Sequence, residues 1–167
     1  RKPYIYKTAD YGKTWTRISD GLPQDHPLSY AMSVAENPNR KGMLFASTGH
    51  EIFYSMDDGA KWTRLDAGLP ASPGSWIAIS KQQHDVVVST YGRGLWVLRD
   101  ITLLEQSDKP VADAAIHIYE PRPGVRSARG GRADITFTLK EAPKDSLDIV
   151  IADSAGGVGW LAPYEAA

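Results

Sequence analysis

Residues 5–23 of the chain recur, without a gap, at residues 52–70. In that register Asp10, Gly12, Trp15, Thr16, Arg17, Gly21, Leu22 and Pro23 meet Asp57, Gly59, Trp62, Thr63, Arg64, Gly68, Leu69 and Pro70, an offset of 47 residues. Thr8 meets Ser55, Tyr6 meets Phe53 and Ile18 meets Leu65. A weaker third copy follows. Ala46-Ser47-Thr48 matches Val88-Ser89-Thr90, and Ile52-Phe53-Tyr54 matches Leu95-Trp96-Val97 after one inserted residue. That copy runs to Asp100, with no Gly or Trp behind it. A repeat of this length means one supersecondary unit used several times, each burying its apolar face on the next.

Each unit reads as four short strands. In the middle copy they fall at about residues 31–35, 43–47, 52–55 and 61–65, with Gly, Pro, Asn or Asp between them. Four strands in a period of roughly 40–50 residues is the pattern of a β-propeller blade. By that count residues 4–18 form half a blade, residues 30–65 a full one and residues 76–100 most of one. A closed propeller needs roughly four to eight blades, so the chain reads as the C-terminal end of a longer protein. A small complete sandwich built from the same hairpins is the alternative. Nothing sustains a helical apolar stripe over three turns, and a few helical turns around 109–115 are the competing reading there.

The repeated Thr/Ser-x-Asp-x-Gly-x-x-Trp element sits in the hairpin between the third and fourth strands. An Asp there can accept backbone N–H bonds across the loop, and the Thr or Ser hydroxyl can join it. The Gly supplies a positive φ, and the Trp can fold back over the hairpin as a local core. Thr8, Asp10, Gly12 and Trp15 form one such element; Ser55, Asp57, Gly59 and Trp62 form the other, with Lys61 where the first has Thr14. These segments resemble the Asp-box of the propellers of sialidases, xyloglucanases and sortilin-type sorting receptors. Residues 89–100 look most like the closing blade of bacterial sortilin-N-terminal-like repeat proteins, and residues 116–123 are similar to the segment that follows the propeller there.

That resemblance implies structural rather than catalytic Asp-boxes. It also implies a non-catalytic binding or scaffold segment of an exported bacterial protein, periplasmic or extracellular. The expected partners are the remaining blades of the parent chain and a peptide or carbohydrate ligand. In the eukaryotic receptors the fold binds peptides inside its tunnel, but the cysteine-rich module that follows it there is absent. The alternative is a fragment of a sialidase- or xyloglucanase-like glycoside hydrolase, whose catalytic set is gathered from several blades. No residue is assigned to such a set.

Composition narrows the remaining classes. The chain has 167 residues and a net charge of -1, which lends nothing to nucleic-acid or acidic-membrane binding. It has no cysteine, which excludes disulfides, thiolate metal sites and cysteine nucleophiles. No apolar run approaches the ~20 residues of a membrane helix, and the N-terminus lacks the apolar run of a signal peptide. His26, His50, His84 and His117 are isolated in sequence, and Asp57-Asp58 alone is too little for Ca²⁺, so neither a metal nor another cofactor is expected.

The chain divides, on pattern, into propeller blades at 1–106, a linker at 107–133 and the start of a truncated β-sandwich at 134–167. Residues 103–115 read as an exit strand and linker with a Lys-Pro break. Arg122, Arg126, Arg129 and Arg132 lie among Gly and Pro, as an anion site or as a solvated loop. Strands at 135–139 and 147–151 are expected to pair as a hairpin across a turn at 141–146. Gly156-Gly157-Val158-Gly159 lacks any dinucleotide-binding context and reads as a frayed tail.

Connectivity separates the two rims of a blade. The Asp-box turns lie on one rim. The loops between second and third strands, Thr48-Gly49-His50-Glu51 and Thr90-Tyr91-Gly92-Arg93-Gly94, lie on the other with the links at Gln24-Asp25-His26 and 71–75. Loops on a rigid scaffold concentrate function. His50 and Glu51 offer acid–base groups, Tyr91 a stacking surface and Arg93 an anion clamp; solvated turn residues and an inter-blade ion pair are their plainer readings. Trp15, Trp62 and Trp96 are all expected in the core.

Overall fold

A computed structural model describes residues 2–69, 71–107, 115–124, 134–141 and 147–164. The fold is all-β, built from several small antiparallel sheets, none of them closed. Strands β1 (Tyr6–Lys7) and β2 (Thr16–Arg17) form a short first hairpin. β3 (Ala31–Glu36), β4 (Leu44–Thr48), β5 (Ile52–Ser55) and β6 (Thr63–Arg64) form a four-stranded meander. β7 (Gly74–Ile79), β8 (Val86–Thr90) and β9 (Gly94–Leu98) repeat its first three strands. In this sheet Val88 pairs with Trp96 as Ala46 pairs with Phe53 in the middle one.

Alternation explains why the middle meander can be buried on both faces. Along β4, Leu44 and Ala46 point toward the first hairpin, where they pack with Ile5, Leu22, Phe53 and Trp62. Met43, Phe45 and Ile52 point the other way and pack with Ile77, Val86 and Val88 of the third sheet and with Ile101. A strand covered on both faces reads as a continuous apolar run rather than an alternating one, which is why all five residues of β4 are buried. The sheets approach closely at Gly74. A Cβ placed there would sit 2.7 Å from Cβ of Ser47 and 2.8 Å from Cδ1 of Ile52, so the sheet contact requires its absence. The Ser47 hydroxyl donates to the Gly74 carbonyl at 2.6 Å.

After β9 the chain departs from expectation. In place of the exit strand, Thr102–Glu105 forms one turn of helix, α1. The Asp100 carboxylate starts it, accepting from the Thr102 hydroxyl at 2.6 Å, while Ile101 plugs the core. A single turn has no periodicity to detect, so a stripe search misses it. β10 (Ile116–Ile118) lies inside the supposed linker and pairs with β11 (Phe137–Leu139). β12 (Leu147–Ala152) pairs with β13 (Val158–Tyr164), not with β11. The expected 135–139/147–151 hairpin is therefore corrected to two hairpins, 116–139 and 147–164.

The glycine run is no frayed tail but the turn of the second of these hairpins. Asp153 Oδ1 accepts from the backbone N–H groups of Ala155 and Gly157, and Gly156 takes φ 84°. An Asx turn of this kind lets the chain reverse tightly between β12 and β13. The helical reading of 109–115, Pro70, the turn at 142–146 and Arg126, Arg129 and Arg132 lie outside the described residues, except that Ala115 is described and is not helical. Among the described residues no helix is long and apolar enough to cross a membrane.

Candidate functional site

The two Asp-box turns are near-copies in three dimensions. In the first, the Thr8 hydroxyl donates to Asp10 Oδ1 at 2.9 Å and accepts from the Gly12 N–H at 2.8 Å. Asp10 also accepts the Thr14 N–H at 2.8 Å and the Thr14 hydroxyl at 2.7 Å. In the second, the Ser55 hydroxyl bridges Asp57 Oδ1 and the Gly59 N–H in the same way, and Asp57 accepts the Lys61 N–H at 2.8 Å. Tyr11 and Asp58 share positive φ values of 58° and 62°, followed by Gly12 at 89° and Gly59 at 86°.

These bonds favour the ionised carboxylates. The Thr14 backbone N–H above all, then the Thr14 and Thr8 hydroxyls, lower the Asp10 pKa to about 2. The Lys61 N–H and the Ser55 hydroxyl lower Asp57. A carboxylate so fully occupied by its own loop is a turn clamp and a poor proton donor.

The tryptophans of the two turns part company. Trp62 is buried, 5% exposed, whereas Trp15 is 61% exposed with its indole N–H turned back onto the Gly12 carbonyl at 3.1 Å. Trp62 has the first hairpin to pack against; no described sheet covers Trp15. Trp96, expected in the core, is 36% exposed. It lies on the inner face with Val88, but β9 is the edge strand of a three-stranded sheet, so no neighbouring strand shields it.

On the opposite rim the expected loops do converge. The Gly49 N–H bonds Tyr30 O, the Ser72 N–H bonds His50 O and the Tyr91 N–H bonds Pro73 O, at 2.9–3.1 Å. The His26 and His50 rings stack with centroids 4.2 Å apart. His50 Nε2 lies 3.6 Å from Glu51 Oε1, which also takes Arg64 Nε at 3.2 Å. His50 Nδ1 is buried with no hydrogen-bond partner among the described residues. Tyr91, 81% exposed, and Arg93 project from the neighbouring turn and join neither imidazole. The hollow beside His50, Glu51 and Arg64 measures only about 20 Å³.

The larger hollow is on the Asp-box rim, among residues that sequence reading passed over. A cavity of about 560 Å³ is bounded by the β3–β4 turn, the β7–β8 turn, α1 and the segment after β10. At its floor Glu105, 9% exposed in its side chain, accepts Asn37 Nδ2 and faces His84 Nδ1, each at 2.7 Å. Arg40 donates to the Glu105 backbone carbonyl. Arg122 donates to Gln83 O at 3.1 Å and lies 3.4 Å from Asp100. These residues come from four segments up to 85 positions apart in sequence (Asn37 to Arg122), so no spacing motif announces them. In sequence, Arg122 stands out only as one of four arginines and His84 only as an isolated histidine. Among the described residues no group of three or more His, Asp or Glu could hold a metal ion.

Comparison with family models, with curated proteins and with solved structures finds no match to this chain.

Proposed function

We propose that the chain is a run of Asp-box propeller blades, a non-catalytic binding and scaffold segment of an exported bacterial protein of the sortilin-like kind. One observation carries this reading. The face of the middle sheet that bears Ala35, Phe45 and Tyr54 is covered by the third sheet, and the equivalent face of the third sheet is bare and apolar. There Trp76 is paired with Ser89, which is paired with Leu95, and Ala78 with Val87 and Val97; Trp76, Leu95 and Val97 are all exposed. The natural cover is a further sheet of the same kind, supplied by the same polypeptide. Ligand contact, to a peptide or a carbohydrate, falls to the loop rim with His50, Glu51, Tyr91 and Arg93. The alternative, a fragment of a sialidase- or xyloglucanase-like glycoside hydrolase, has no catalytic residue assigned to it, and the Asp10 and Asp57 carboxylates are engaged by their own turns.

The test is concentration-dependent light scattering of the chain beside a Trp76→Lys/Leu95→Lys variant. The bare-face reading expects the parent sequence to associate and the variant to stay monomeric with an unchanged unfolding midpoint. A monomeric parent, or a variant that unfolds, defeats it. Turnover of aryl glycosides or xyloglucan that disappears in Glu51→Gln would overturn the non-catalytic part.

A further inference from the structure

We propose that the cavity between the β3–β4 turn, the β7–β8 turn and α1 is a binding site for an uncharged, hydroxyl-rich small molecule, a neutral mono- or disaccharide. It lies on the rim opposite His50 and Arg93 and does not depend on the blade reading above. Its volume, about 560 Å³, falls within the roughly 300–1,000 Å³ of small-molecule sites.

The polar groups of the wall divide into those already engaged and those left over. Glu105 is engaged by Asn37 and His84. His84 Nδ1 lies 2.7 Å from the Glu105 carboxylate and 3.1 Å from the Asn39 amide nitrogen, and Nε2 has no partner among the described residues. Gln106 spends both ends of its amide on the backbone of residue 120, at 2.9 and 3.0 Å, which pins that segment to the helix. The Glu120 carboxylate itself has no partner among the described residues. Arg122 is anchored through Nη1 and Nε, leaving Nη2 to donate. The wall therefore offers the Glu120 carboxylate as an acceptor, Arg122 Nη2 as a donor and the open His84 Nε2. A hydroxyl, which gives one hydrogen bond and accepts others, meets both needs.

Charge selects against ionic ligands. Arg40, Arg122, Glu105 and Glu120 all line the cavity, with Asp100 beside Arg122, so charges of both signs share one wall. An anion would meet the carboxylates, and a cation the guanidiniums. Pro121 and Pro123 supply apolar wall for the C–H face of a sugar ring.

The backbone supplies an independent observation. His84 stands at φ 52°, and the corresponding place in the preceding sheet's turn is Gly42, at φ 77°. A left-handed backbone costs a side-chain residue what it does not cost glycine. An imidazole held there against that preference, facing a cavity, points to a use for the ring.

The experiment is saturation-transfer NMR and calorimetry on the described chain. The probes are glucose, galactose, mannose, xylose and cellobiose, with glucuronate, glucosamine and glucose 6-phosphate as charged counterparts. At least one neutral sugar should bind in the millimolar range or tighter, and at least tenfold tighter than its charged counterpart. His84→Gly, which also removes a partner of the Glu105 carboxylate, should lower that affinity at least tenfold. Should His84→Gly fail to fold, Glu120→Ala, which removes the acceptor at an exposed wall position, serves instead with the same expected loss. Absence of binding by every neutral probe, equal or tighter binding of a charged one, or full affinity in Glu120→Ala would overturn the proposal.

Discussion

The indole nitrogen of Trp62 donates to the backbone carbonyl of Ile18 at 2.6 Å, across 44 residues of sequence. The same Ile18 side chain fills the space over Gly59, where a Cβ would come within 2.8 Å of it. The second Asp-box is thus the surface on which the first hairpin docks. Trp62→Ala removes a buried aromatic and orphans that carbonyl, and should cost roughly 3–5 kcal/mol in denaturant unfolding. Trp15→Ala, at the equivalent but uncovered position, should cost under about 1 kcal/mol, as surface positions do. Equal losses would mean that Trp15 is covered in solution.

The Asp10 carboxylate carries the pH dependence. Its pKa is lowered to about 2 from 3.8 by the loop's donors. Its folded value lies below the unfolded one, so its stabilising effect is complete above about pH 4. It is lost as pH falls through about 2. Urea midpoints measured between pH 5 and 2 should fall in the parent sequence and fall less steeply in Asp10→Asn. Parallel slopes would show that the turn bonds do not persist in solution.

Lys61 leaves the second turn one bond short of the first, since Thr14 adds a hydroxyl donor that Lys61 lacks. Lys61→Thr should restore it. The site is exposed, so the gain should be small, about 0.5 kcal/mol or less, with the Asp57 pKa lowered further. Carboxylate titration by NMR reads the second effect directly, and an unmoved Asp57 would count against the bond.

How much of this was legible beforehand depends on how local the signal is. The strands of the middle and third sheets, both Asp-box turns and the convergence of the loop rim follow from a repeat and from connectivity, which a single chain displays. The exposure of Trp15 and Trp96 was not legible, because burial is set by a neighbouring sheet that the residue's own repeat does not encode. The Glu105–His84–Asn37 cluster was invisible for a related reason. Its members come from separate turns, and a one-turn helix that leaves no periodic trace brings Glu105 among them. The pairing of β12 with β13 uses the Asp153 turn, an Asx turn that the glycine run did not announce.

Gly74→Ala tests the contact between the second and third sheets. Both atoms that a Cβ would strike, in Ser47 and Ile52, belong to buried side chains, so the sheets would have to separate. Overpacking of this sort costs roughly 1–3 kcal/mol. Gly92→Ala is the control, with φ 84° but open space around it, and should cost only its backbone strain, about 1 kcal/mol. A Gly74→Ala chain no less stable than Gly92→Ala would place the sheets farther apart than described.

Arg93 decides whether the Tyr91 turn is a contact surface or a structural joint. The turn is held by backbone groups: the Thr90 hydroxyl donates to Gly94 O, the Tyr91 N–H to Pro73 O and the Trp96 indole to Arg93 O. None of these uses the guanidinium, which has no partner among the described residues. Arg93→Ala should therefore leave stability within about 0.5 kcal/mol of the parent. Binding of an anionic ligand at this rim should weaken, because a flanking pair of glycines lets the long side chain project past the strand ends. Denaturant unfolding beside Trp62→Ala supplies the scale. If Arg93→Ala loses as much as Trp62→Ala, the guanidinium joins sheets together, and the rim loses its cationic contact.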